Sequence, residues 1–130
     1  MTLITSHIGA TPYLVTHQGG GNTWLADEPE DAGGGASAPA PYELLLSSLG
    51  ACTSITLKMY AARKGWPLTE VDVTLTLETT ESGTQIERKI VLHGALNDEQ
   101  RERLLQVANA CPVHKVLSRP IAIRSGLAVL

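Results

Sequence analysis

The chemistry open to this chain rests on a few side chains. Among its 130 residues there are two cysteines, Cys52 and Cys111, and His114 follows the second after Pro112 and Val113. A thiolate attacks peroxides, is oxidised to a sulfenic acid, and condenses with a second thiol to a disulfide. Two thiols brought together would therefore form a redox pair. Pro112 suits the first turn of a helix, which would place Cys111 at that helix's N-terminus, where free N–H groups and the macrodipole favour a thiolate. Each residue also has a plainer reading. Free cysteine is among the most buried residue types and packs as a small hydrophobe, and His114 would fit a surface position. Taken as metal ligands, Cys52, Cys111 and His114 match no common zinc framework and lack an evident fourth partner, so no metal is expected, and thiol redox chemistry needs no organic cofactor. Glu43 is the acid nearest Cys52 in sequence. Its simplest role is to offset a helix dipole.

The element that must position Cys52 covers residues 41–67. Pro41 fits a helix entrance, Glu43 lies near the positive end, and Lys58, Arg63 and Lys64 gather toward the other. Gly65 can take a left-handed cap and Pro67 forbids continuation. Some 22 residues at 1.5 Å each predict a rod of roughly 33 Å. No charged side chain occurs from residue 44 to residue 57. A helix that is apolar or small all round is buried all round, which predicts a central helix with protein on every side. Within one chain Glu43 cannot serve Cys52, since the helix separates them by about 13.5 Å. Any action of Glu43 at a cysteine would cross an interface.

The remaining elements follow from local pattern. Residues 12–16 and 22–26 read as a hairpin opened by Gly19, Gly20 and Gly21. An acidic, glycine-rich stretch from 27 to 40 reads as a mobile loop. Val71, Val73, Leu75 and Leu77 alternate with polar residues, a turn follows at 81–83, and residues 86–93 return as an antiparallel partner. Asn97 and Gln100 have the spacing of a capping box, and Leu104, Ala108 and Cys111 share one face of the helix they open. Pro112 predicts a break at Cys111 and a short helix over 112–117. Residues 120–124 read as a last strand. The order β-β-α-β-β-α-β predicts an α+β fold, a single domain over 1–130.

Composition narrows the function further. The net charge is −3, which gives no reason to expect nucleic acid. No Lys or Arg precedes Lys58, so the first 57 residues carry −5, whereas ten basic against eight acidic residues leave the rest at +2. There is no basic, apolar leader at the N-terminus. The charge-free stretch is too short, and too rich in Ser, Thr and Gly, to suggest a bilayer span. A cytoplasmic protein with no membrane partner is expected, and two cysteines in that compartment favour redox or catalytic use over a structural staple.

The core P-x-E-L-L-L-x-x-L-G-A-C ending at Cys52, with the later A-C-P-V-H from Ala110 to His114, resembles the OsmC/Ohr family of osmotically induced and organic hydroperoxide resistance proteins. The resemblance covers both helices and the strands between them. It implies an intertwined homodimer, with two long helices at the centre and an antiparallel sheet wrapped from both chains. It also implies thiol peroxidase activity at sites on the dimer interface, with Cys52 as the attacking cysteine and Cys111 as the resolving one; Glu43 is kept as a third candidate catalytic residue, acting across the interface.

Two positions depart from the hydroperoxide-resistance branch. The branch carries its glutamate where Tyr42 stands, one residue before Glu43. It also holds the thiolate with an arginine from an N-terminal strand, whereas Leu14 occupies that place here and no arginine precedes Arg63. The pattern is similar to the broader OsmC-like branch. Only a thiolate attacks peroxide, and a cysteine in mid-helix gains little from the macrodipole. A cation from the second half of the chain is therefore expected at Cys52, with Arg63, Arg88, Arg119 and His114 as candidates. The function expected is reduction of organic hydroperoxides, with a dithiol reductant restoring both thiols. The alternative is a non-catalytic protein that binds a small apolar or acyl ligand in the interface cleft.

Overall fold

The computed structural model describes residues 1–129, a mixed fold of two antiparallel sheets and three α-helices among those residues. The chain divides into two compact units, and the boundary falls after Ser47.

The first unit is a three-stranded sheet in the order β1-β2-β3, formed by β1 (Thr5–Ile8), β2 (Val15–Gly19) and β3 (Asn22–Ala26). Gly20 and Gly21 join β2 to β3 with φ of 57° and 79°, the two positive values a tight hairpin turn demands. The hairpin is as expected, but its first strand runs from 15 to 19 rather than 12 to 16. The reason is that β2 is the central strand, paired on both edges, and Pro12 has no N–H to contribute. The acidic loop after β3 has an organising centre. Asp27 is only 3% exposed. Its carboxylate accepts the N–H of Glu28 at 2.8 Å, that of Gly35 at 3.4 Å, and both the N–H and hydroxyl of Ser37 at 3.1 and 2.7 Å.

Helix α1 (Pro41–Lys64) has the ends its sequence predicts. Glu43 accepts the Ala40 N–H at 2.9 Å, the carboxylate half of a capping box. At the other end Gly65 has φ of 70°, and the bonds from the Gly65 N–H to Ala62 and from the Trp66 N–H to Ala61 form a Schellman cap. Burial on all sides is not found. Leu49, Thr53, Leu57 and Ala61 make one buried stripe at four-residue spacing, whereas Ile55 and Met59 are 58% and 53% exposed. One chain has too few elements to surround a helix of 24 residues. By length and composition α1 could also cross a membrane, a test that the core helix of a soluble protein passes as well.

In the second unit β4 (Glu70–Thr80) pairs with β5 (Gly83–His93), with Val73 opposite Ile90 and Leu75 opposite Arg88. Val71, Val73, Leu75 and Leu77 of β4 share the inward face with Ile86, Arg88, Ile90 and Leu92 of β5. The hairpin closes on α1 at Gly50, where a Cβ would stand 3.0 Å from a Leu75 methyl. Helix α2 (Asp98–Ala108) is opened by the Asn97–Gln100 capping box. Its Leu104, Val107 and Ala108 complete a core with Leu57, Ala61 and Leu68. Each fully buried leucine there contributes about 1.5–3 kcal/mol. Helix α3 (Pro112–Leu117) begins where Pro112 predicts. The strand expected over 120–124 is not formed, and residues 120–129 belong to no helix or strand. Ile121 and Ile123 stand 57% and 84% exposed. Their alternation suits a strand only where a sheet edge receives it, and β4 and β5 pair only with each other.

Candidate active site

Cys52 lies on α1, half-buried, with Sγ 3.9 Å from Thr56 Oγ1. Cys111 is fully buried between α2 and α3. It caps α3, its extended backbone (φ −65°, ψ 148°) turning Sγ to accept the His114 N–H at 3.4 Å. Both cysteines are free thiols, and they lie near each other.

What joins their segments is Arg88. The strand alternation of β5 aims it inward between Ile86 and Ile90. Nη1 donates to Thr53 Oγ1 at 3.0 Å, on the residue after Cys52. Thr53 is itself fully buried and donates its hydroxyl proton to the Leu49 carbonyl at 2.7 Å, which leaves a lone pair for Arg88. Nη2 donates to Asn109 Oδ1 at 3.1 Å and to His114 Nδ1 at 3.0 Å, on residues that flank Cys111.

The electrostatics of this cluster are one-sided. Arginine only donates, so His114 must accept through Nδ1, and the neutral ring carries its proton on Nε2. Burial, and secondarily the charge of Arg88, hold His114 below its ordinary value of 6.5. All three partners of the guanidinium are neutral, and among the described residues no carboxylate pairs with it. Its charge is thus not cancelled within the cluster.

The other expected site residues fall elsewhere. Of the four candidate cations, Arg88 and His114 belong to the cluster. Arg63 stands exposed in the last turn of α1, and Arg119 is exposed after α3. The carboxylate of Glu43 is engaged at the α1 entrance. Thr53 and Asn109 were not foreseen. The inward phase of Arg88 was readable, since it alternates with Ile86, Ile90 and Leu92, but its partners stand 21 to 35 residues away in sequence. Among the described residues no group of three or more His, Cys, Asp and Glu side chains gathers as a metal site.

Residues 33–125 match the family model described as OsmC-like protein. No curated protein matches the chain in sequence. Among solved structures, the OsmC-like protein of Mycoplasma pneumoniae superposes with a TM-score of 0.78 at 20% identity, over 91% of this chain and 87% of that one. An organic hydroperoxide resistance protein OsmC of Legionella pneumophila gives 0.64 at 24% identity, over 90% and 88%. The organic hydroperoxide resistance protein OhrB of Bacillus subtilis gives 0.62 at 22%, over 89% of each chain. At these identities the likeness establishes the fold.

Proposed function

Since the chain belongs to the OsmC-like family, linked to organic hydroperoxide resistance, we propose that it is a cytoplasmic, homodimeric thiol peroxidase that reduces organic hydroperoxides through Cys52 and Cys111. The observation that carries this reading is the uncancelled charge of Arg88, held between the segments that bear the two cysteines. Arg88 is a cation from the second half of the chain, hydrogen-bonded to the residue that follows Cys52.

The Cys52 thiolate attacks the distal peroxide oxygen, the O–O bond breaks, and the alkoxide leaves and takes up a proton as the alcohol. Cys52 is left as a sulfenic acid. Cys111 then attacks the Cys52 sulfur, an S–S bond replaces the S–O bond, and water departs. A dithiol reductant restores both thiols by exchange and is itself oxidised to a disulfide. Glu43 would act at a partner protomer's site, since about 13.5 Å of helix separates it from Cys52 in its own chain.

Support for the dimer comes from apolar side chains that one chain leaves uncovered, Ile55 and Met59 on α1 and Ile121 and Ile123 beyond α3. Sedimentation should give twice the chain mass at micromolar concentration, and a helical monomer would end that part of the proposal.

A second reading, binding of a small apolar or acyl ligand without catalysis, is favoured by a hollow of about 460 Å³ whose apolar floor of Leu57, Ile90, Leu92, Leu104 and Leu105 is flanked by Asp98, Arg101 and Glu102. Stopped-flow mixing with cumene hydroperoxide and dithiothreitol separates the two. The peroxidase consumes hydroperoxide over many turnovers and loses all of this in Cys52→Ser. Wild-type protein no faster than that variant would leave only the binding reading.

A further inference from the structure

The two ends of the Arg88 fork reach different elements. Nη1 is fixed to α1 through Thr53, whose hydroxyl is anchored on Leu49. Nη2 is fixed to the far side of the site through Asn109, the residue that closes α2, and through His114 in the first turn of α3. Cys111 lies between those last two residues, in the turn that joins α2 to α3. A planar guanidinium sets the separation of the groups it binds, whereas an ammonium on a flexible stem does not.

We propose that Arg88 is a positioning residue for disulfide formation, a brace that holds the Cys111 turn at the level of Cys52 on α1. The proposal rests on the Cys52/Cys111 reading above and specifies how that site avoids over-oxidation. The sulfenic acid on Cys52 has two fates. Attack by Cys111 forms the S–S bond and releases water. Attack on a second hydroperoxide instead transfers another oxygen to Cys52, giving a sulfinic acid and a second alcohol. The first fate is intramolecular, and its rate depends on how well Cys111 is held in place. The brace therefore sets the partition between turnover and inactivation.

Arg88→Lys keeps the charge and loses the fork. Asn109→Ala removes one exposed arm and leaves the bond to Thr53. Each is equilibrated with reduced and oxidised glutathione, and the effective concentration of the Cys52–Cys111 disulfide is read without any peroxide. It should fall about tenfold in Arg88→Lys, the scale of one lost charge-assisted bond, and several-fold in Asn109→Ala. Values equal to wild type in both variants overturn the proposal. With cumene hydroperoxide, mass spectrometry should find sulfenic acid still formed on Cys52 in Arg88→Lys, and the readout is how that acid partitions. The sulfinic acid formed per turnover should rise about tenfold, in proportion to the slower closure. Slower sulfenic acid formation with an unchanged partition would mean that the fork serves the first oxidation and not the closure, and would also overturn it. Should Arg88→Lys fail to fold, Asn109→Ala decides by the same two readouts. A wild-type Cys52 inert to hydroperoxide, alongside the glutathione effect, would remove the peroxidase reading and leave the brace standing.

Discussion

Asp27 and Arg88 are both charged side chains with several hydrogen bonds, and they do opposite things with their charge. Asp27 collects its donors from residues 28 to 37, at most ten positions away, and most of them are backbone N–H groups. Its charge is consumed in closing one loop. Arg88 takes acceptors from 21, 26 and 35 positions away, each on a different piece of backbone and none of them charged. Its charge is spent on no structural counter-ion. Both charges meet only neutral partners, so what separates them is where those partners lie. Donors drawn from the adjoining loop make Asp27 a folding device, whereas Arg88, carried inward on a strand, joins the segments that bear the two cysteines.

The sharpest way to break the contrast is to remove each charge in turn. Arg88→Met should lower hydroperoxide turnover roughly a hundredfold, the scale of losing one preorganised electrostatic partner. Asp27→Asn should leave the turnover of folded protein unchanged. It turns an amide donor toward the Ser37 donors, so it should lower the melting temperature and open residues 28–37 to limited proteolysis. Equal losses of activity in both variants would dissolve the distinction.

A smaller effect sharpens one arm of the comparison. Thr53→Val keeps the volume of a fully buried side chain and deletes the acceptor for Arg88 Nη1. Leaving that donor unmatched should cost about 1–3 kcal/mol by urea unfolding. Turnover should fall less than in Arg88→Met, since the bonds to Asn109 and His114 remain. A turnover loss as large as that of Arg88→Met would mean that Thr53, rather than the charge, is the critical element.

What was legible in the sequence was local chemistry. Pro41, Glu43 and Gly65 mark both ends of α1, the Asn97–Gln100 box opens α2, and Pro112 makes Cys111 a cap, all within a few residues of the structure they produce. Long-range facts were not legible. The role of Arg88 depends on three partners that no local window contains. Burial around α1 was overread, because a helix without a charged face states what it needs covered and not what one chain supplies. The strand at 120–124 failed for the same reason, since an alternating pattern does not say which edge will receive it. Strand β1 was missed because Thr5, Ser6, His7 and Ile8 are all exposed and carry no alternation to read.

The smallest expected effect is in acid, and it follows the two centres separately. Both His114 and Asp27 are held below their ordinary values, so each contributes stability that is present at higher pH and lost on acidification. For His114 the neutral ring is the favoured form, held by burial first and by Arg88 second. Its contribution is complete above 6.5, where the unfolded ring titrates, and declines as pH falls below that value. For Asp27 the ionised form is favoured, chiefly by the Ser37 hydroxyl and then by the Ser37 and Glu28 N–H groups. Its contribution is complete above 3.8 and declines below. Urea midpoints taken near about pH 7.5, 5.5 and 3 should therefore fall in two steps. His114→Gln, which can still offer Arg88 an acceptor, should flatten the first step and spare the second. Asp27→Asn should do the reverse. If His114→Gln loses stability as steeply as wild type over the first interval, the ring is not held neutral against Arg88, and the one-sided charge of the site would need another explanation.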